Sequence, residues 1–307
     1  MKDIQLKNKD GLTEKEFLER YTPGNYEKPS TTVDMLLFTV DDKKSYDTEK
    51  LPEKELKILL IKRGNHPYME CFAIPGGFVN IDETLNEAVY RELKEETNVE
   101  NVYFEQLYTW GDDIKRDPRM RVISVSYIAL VDKNNIKPQA GDDACDVEWF
   151  SIKREFISSS KNNGAKEDTY NLILKSDTKD SEIIYKITEK CTKNGIIVNK
   201  EPNYELLNQS KGKLAFDHVQ IIDTALKRLK NKLEYTPIAF TLLPEYFTLS
   251  ELQSVYEAIL NKPLIKEDFL IKITPMIKET DCISKNSNHK SEKYYKFNDN
   301  WQHSFFK

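Results

Sequence analysis

The stretch from Gly76 to Val99, GGFVNIDETLNEAVYRELKEETNV, limits what this chain can fold into more than any other. Ile74-Pro75-Gly76-Gly77 ends a short strand with two glycines, which let a backbone turn sharply and approach a ligand closely. Thr84 precedes Glu87 by the spacing of a capping box, and no Gly or Pro follows until well past Val99. A helix therefore begins at Leu85. At about 100° per residue, Leu85, Ala88, Val89 and Leu93 fall on one face. Glu92, Glu95 and Glu96 fall on that same face in the later turns, while Asn86, Glu87, Tyr90 and Lys94 point away.

Solvation alone does not account for this pattern, because the opposite face is already polar. Three neighbouring carboxylates repel one another, and they stand near the helix C-terminus, where the macrodipole disfavours negative charge. A hard divalent cation is the natural neutraliser. Mg2+ takes oxygen ligands, keeps waters and binds through few carboxylates plus substrate phosphates.

From Gly77 to Val99 the sequence resembles the Nudix box: Gly77, Glu83, Arg91-Glu92-Leu93, Glu95-Glu96, a glycine position and an aliphatic residue. Asn98 occupies the glycine position, a mild departure, since Asn tolerates the left-handed conformation after a helix next best after Gly. The resemblance implies an α/β fold, a Nudix α/β/α sandwich with a mixed sheet. It also implies hydrolysis of a nucleoside diphosphate derivative with Mg2+ or Mn2+. Glu92, Glu95 and Glu96 would be the metal ligands, with Glu95 a ligand or water-activating base. Arg91 would orient the glutamates, and Glu83 would brace the loop and helix. Gly76 and Gly77 would lie against substrate.

Composition bounds the rest. The chain has 307 residues, 39% of them hydrophobic, which suits two domains. No apolar run approaches 18 residues and no signal-peptide pattern is present, so a cytoplasmic protein without membrane contact is expected. Cys71, Cys145, Cys191 and Cys282 are scattered, which suggests free and often buried thiols. None of the four histidines sits at metal spacing. The net charge is −5, but residues 216–307 carry 13 basic and 12 acidic side chains, net +1, weak support for nucleic-acid binding.

Along the chain, GLTEKEFLERY reads as a short helix, and TTVDMLLFTV, ELKILLIKR and RVISVSYIALV read as strands. A short strand covers Asp146 to Phe150. Arg116, Arg119 and Arg121 cluster around Asp117-Pro118 and are candidates for holding phosphate or ribose oxygens, because a guanidinium presents a planar fork of donors. The late loop AGDDACDVEWF offers Asp142, Asp143, Asp146 and Glu148. Asp143 is taken as a substrate-side candidate, and which of the four assists the metal stays open. Residues 155–213 read as a strand-rich insertion or sheet extension, so residues 1–213 form one domain and 214–307 a second.

FDHVQIIDTALKRLKNKLEY reads as an amphipathic helix. A helix pair follows, with Ser250 as a possible N-cap and the second helix near Lys266 to Ile273, and KYYKFN is a candidate wing. This is a winged-helix order, in which the second helix commonly enters the major groove. Glu267 and Asp268 on that helix weigh against DNA, whereas Lys227, Arg228, Lys230 and Lys232 could gather phosphate contacts in a symmetric dimer. With LAFDHVQII and RDPRMRV, this order resembles the NrtR-type family, Nudix proteins with a C-terminal winged helix. That resemblance implies ADP-ribose as ligand and a homodimer. Two functions follow: a Nudix hydrolase giving AMP and ribose 5-phosphate, for which the complete glutamate set argues, and an ADP-ribose-sensing regulator that binds DNA.

Overall fold

The computed structural model describes residues 6–22, 24, 27–43, 53–100, 102–133, 136, 138, 144–162, 165–285 and 291–302. Its centre is strand β1 (Ser30–Asp42). This strand is buried on both faces because its apolar residues split by the two-residue period. Val33, Met35 and Leu37 enter one core, while Leu36 and Phe38 enter the other. Around β1 lie β2 (Lys54–Arg63), β3 (Phe72–Ala73), β4 (Gly76–Phe78), β5 (Glu105–Trp110), β6 (Val122–Leu130), β7 (Ala144–Asn162), β8 (Ala165–Ser176), β9 (Glu182–Asn194) and β10 (Ile197–Leu206). They form a single sheet in the order β10-β9-β8-β7-β2-β1-β6-β5, with β3 on β2 and β4 on β1. β1 and β6 run parallel and the other pairs antiparallel, so the sheet is mixed.

The strand expected over Asp146–Phe150 lies near the start of a 19-residue strand, β7. It extends because β8 pairs with it from Ser176 back to Ala165, and residues 155–213 continue the same sheet through β9 and β10. Helix α1 (Glu14–Arg20) is capped by Thr13 and Glu16. Helix α2 (Leu85–Thr97) covers one face of the sheet through Ala88, Val89 and Leu93. Helix α3 (His218–Lys232) covers the other with Ile221, Ile222, Ala225, Leu226 and Leu229, which makes a three-layer sandwich. Each fully buried Val, Leu or Ile among them contributes about 1.5–3 kcal/mol.

The winged-helix part shares that second core. Helix α4 (Leu249–Leu260) buries Leu252, Val255, Tyr256 and Ile259, and helix α5 (Lys266–Ile273) adds Phe269 and Ile273. Strands β11 (Phe247–Thr248), β12 (Ile277–Lys285) and β13 (Ser291–Phe297) form the small wing sheet. The N-cap of α4 is Thr248, not Ser250. Thr248 and Glu251 satisfy each other's backbone N–H groups at 2.7 and 3.2 Å, while buried Phe247 anchors the entry. Ser250 instead donates to Glu292 at 2.8 Å. Cys71 and Cys191 are buried as expected, but Cys145 is exposed, because it lies at the rim where β7 begins. Among the described residues, no helix is long and apolar enough to cross a membrane.

Candidate active site

Helix α2 is fixed at both ends by local chemistry. Thr84 and Glu87 form the capping box, and Asn98 closes the helix in the left-handed region at φ 55°. Gly76 is sterically required by the backbone of β1, and Gly77 lets the Glu92 carboxylate close on the turn. A Cβ on Gly76 would stand 2.1 Å from the Val33 carbonyl, and one on Gly77 would stand 2.2 Å from a Glu92 carboxylate oxygen. The strand end, the loop and the acidic end of α2 therefore meet closely at the two glycines.

Arg91 organises the acidic residues. It donates to both oxygens of Glu83 at 2.6 and 2.9 Å, to Glu92 at 2.7 Å, to Glu95 at 3.1 Å and to the Phe78 carbonyl at 2.9 Å. Its bonds hold the Glu83 carboxyl far below the usual range, down to about 2. Glu96 is 8% exposed and accepts from the Gly76 N–H at 2.7 Å. Burial, with the nearby charges of Glu92 and Asp34, pushes its carboxyl up to about 8 against the pull of that N–H and of Arg63. Burial also raises Glu92, which Arg91 only partly offsets.

The structure corrects the expected face of α2 in two places. Leu85 is 36% exposed, because it opens the helix beyond the reach of the sheet. The Glu95 side chain is 52% exposed and turned to the outer nitrogen of Arg91. Among the described residues, no three His, Cys, Asp or Glu side chains converge closely enough to hold one ion. Glu92 and Glu96 line a cavity beside this helix, whereas the Glu95 side chain stands outside it. That pair still fits a divalent cation: two oxygen donors, one almost fully buried and short of positive partners, are what such an ion would neutralise.

Above the pair opens a cavity of about 330 Å3. Gly76, Gly77, Arg91, Glu92 and Glu96 form one wall, and Arg116 and Arg119 reach it from the loop before β6. Neither arginine is idle. Arg116 is buried and makes a two-pronged pair with Asp217 at 2.7 and 2.9 Å. Arg119 closes on Asp117 at 2.7 Å. Arg121 does not line the cavity; it donates to the Gly111 and Asp113 carbonyls and braces its own loop. Asp142 and Asp143 lie outside the described residues. Asp146 pairs with Lys179, and Glu148 is buried on β7, accepting from Ser176 and Thr178. Neither lines the cavity.

Several lining residues carried no signal in the sequence. Asp34 and Thr32 come from β1, Arg63 from the end of β2, and Phe216 and His218 from the start of α3. Buried His218 accepts the Ile74 N–H at Nδ1, 2.9 Å away, so its proton sits on Nε2, 3.8 Å from Asp34. Burial lowers its pKa. Only the Phe-Asp-His run beginning the second amphipathic segment could have pointed there.

The fold and the Glu92–Glu96 site are those of a Nudix domain joined to a winged helix. Residues 49–171 match the NUDIX domain model, and residues 239–297 match the model of the NrtR DNA-binding winged helix domain. The ADPR responsive transcriptional repressor NtrR of Acinetobacter baylyi is 30% identical over 93% of this chain and 88% of its own. The chain thus belongs to the NrtR-type family of Nudix proteins with a C-terminal winged helix. It is also similar to the ADP-ribose pyrophosphatase of Methanocaldococcus jannaschii, 48% identical over 33% of this chain and 57% of that protein. The crystal structure of a MutT/nudix family protein from Enterococcus faecalis matches with a TM-score of 0.63 and 29% identity, covering 96% of this chain and all of that one.

Proposed function

We propose that the protein hydrolyses the pyrophosphate bond of ADP-ribose or a close nucleoside diphosphate derivative, giving AMP and ribose 5-phosphate. The observation that carries this reading is the complete acidic apparatus: Glu92 and Glu96 face the cavity, and Arg91 and the Gly76 N–H hold them there. A bound Mg2+ or Mn2+ supplies charge neutralisation of the pyrophosphate and a lowered pKa for the attacking water. The chain's own residues do the rest. Arg91 aims Glu92 and partly offsets the burial that raises its pKa, and Glu83 fixes Arg91 in turn. The glycine pair lets β1 and Glu92 pack against the turn that lines the cavity. Likeness to the pyrophosphatase over 100 residues, 33% of this chain, supports the same substrate.

A second reading, an ADP-ribose-sensing regulator acting on DNA as a cytoplasmic homodimer, is favoured by one observation. Lys266–Ile273 is the second helix of the pair and β12 and β13 form an antiparallel wing, in a chain that the repressor resembles over nearly its full length. Three of the four α3 cations are engaged within the chain. Lys227 pairs with Asp223 and Glu189, Lys232 with Glu105, and Arg228 donates to the Leu107 carbonyl. The deciding experiment is AMP release from ADP-ribose with Mg2+ or Mn2+, beside Glu92→Gln. Metal-dependent turnover lost in the variant supports the hydrolase. Tight binding without turnover supports the sensor, and a DNA-shift assay with and without ADP-ribose then follows.

A further inference from the structure

Four arginines line the cavity, and three are neutralised by the chain itself. Arg91 is bound by Glu83, Glu92 and Glu95, Arg116 by Asp217, and Arg119 by Asp117. Arg63 differs. Among the described residues it makes no ion pair; its Nε donates to the Pro67 carbonyl at 2.8 Å. Its guanidinium carbon stands 5.2 Å from the centre of the Phe216 ring. It lies close enough to Glu96 for its charge to act on that carboxyl.

Phe216 is itself unusual. Its φ is 49°, a left-handed backbone that a bulky residue keeps only where its surroundings over-determine it. Tyr68 packs on the ring at 4.6 Å, and Arg119 approaches it at 5.7 Å. An aromatic face attracts a guanidinium electrostatically, so the ring limits where Arg63 can swing. Residues 214–218 fall in neither family match, 49–171 or 239–297. The ring therefore enters the Nudix cavity from the joint that leads to the winged helix.

We propose that Arg63 is the substrate-binding residue that grips the diphosphate, and that Phe216 is the positioning residue that aims it. This rests on the reading of the cavity as a nucleoside diphosphate site. The chemistry follows from charge. A diphosphate brings negative charge to a cavity already lined by Glu92 and Glu96, and an arginine with its charge uncommitted gains most from it. The guanidinium fork matches two phosphate oxygens, as a lysine ammonium cannot. Arg116 and Arg119 would have to leave their aspartates first.

The test is calorimetric binding of the α,β-methylene analogue of ADP-ribose, which cannot be hydrolysed at that bridge, to the full chain with Mg2+. Arg63→Met should weaken binding about tenfold or more, as loss of a charged hydrogen-bond donor does. Arg63→Lys should fall between it and the unaltered protein. Phe216→Leu should weaken binding about threefold, and Phe216→Tyr should restore it. In the Arg63→Met background, Phe216→Leu should add little, since the two act as one unit. Arg121→Met, off the cavity, serves as the control. Unchanged binding in Arg63→Met or Arg63→Lys overturns the role of Arg63. Independent, multiplying losses in the double variant overturn the positioning role of Phe216. If Arg63→Met does not fold, Arg63→Lys alone decides. If the unaltered protein does not bind the analogue, the reading of the cavity falls, and this inference with it.

Discussion

Helices α2 and α3 lie on opposite faces of one sheet, and both carry runs of like charge. On α2 the carboxylates of Glu92 and Glu96 face a cavity and lack enough positive partners. On α3 three of the four cations are engaged within the chain. Lys227 joins a buried cluster of Asp223, Glu189 and Arg154, and Tyr204 donates to the same Asp223 at 3.0 Å. Burial lowers the pKa of Lys230, the reverse of what an exposed DNA contact would show. A charged helical face thus marks function only where the fold leaves its charge unanswered. Charge that the chain answers itself is architecture.

The largest expected effect breaks the architectural side. Asp223→Ala leaves Arg154 and Lys227 facing Glu189 alone in a buried cluster, and should cost about 3–5 kcal/mol of stability in chemical denaturation. An unchanged midpoint would mean that the cluster is not a lock between β9, β10 and α3. On the functional side, Glu92→Gln should lower kcat about 100-fold or more, as loss of preorganised electrostatics does. Its melting temperature should not fall, because a crowded charge has been removed. Wild-type turnover in that variant would refute the site.

Mg2+ or Mn2+ should raise the melting temperature of the unaltered protein, by about 2.7 kcal/mol of stabilisation at a hundredfold excess over Kd. Glu96→Gln should lose that shift. A smaller effect belongs to His218, whose pKa burial lowers from 6.5, with Asp34 and Asp217 opposing and Arg116 and Arg63 adding to the shift. The unfolded chain then binds the proton first. Stability is present above about pH 6.5 and is lost as the pH falls through the folded-state pKa, by up to about 1.4 kcal/mol per pH unit. His218→Gln should flatten that slope in melts from pH 7 to 5. The smallest effect sharpens the comparison itself. Arg228→Met should leave the salt dependence of any DNA binding unchanged, since that guanidinium is spent on Leu107 and stands 5.1 Å over the Tyr108 ring. A shallower slope would return α3 to the DNA surface.

What was legible in the sequence was local. The Thr84–Glu87 box, the left-handed Asn98 and the α5 span Lys266–Ile273 follow from residues within one or two turns of each other. The three arginines of the loop were read as equals because their partners were invisible. Asp217 lies 101 residues beyond Arg116, while Arg121 found carbonyls in its own loop. Helical angle and the resemblance to the Nudix box both group Glu95 with Glu92 and Glu96, and neither shows that Arg91 pairs with it at 3.1 Å on the exposed side.

The glycine turn, the capped acidic helix and the order of helices and strands after residue 214 are legible in the residues themselves, while the mixed-sheet sandwich is implied only by the resemblance to the Nudix box. Backbone propensity, capping and hydrophobic period are set by near neighbours and need no tertiary partner. Only the tertiary structure decided which charges stay unanswered. It brought Asp217 to Arg116, His218 to Ile74 across 144 residues, and Phe216 to Arg63. Ion pairing and desolvation depend on distance in space, and a chain reveals those distances only once the sheet has placed its strands side by side.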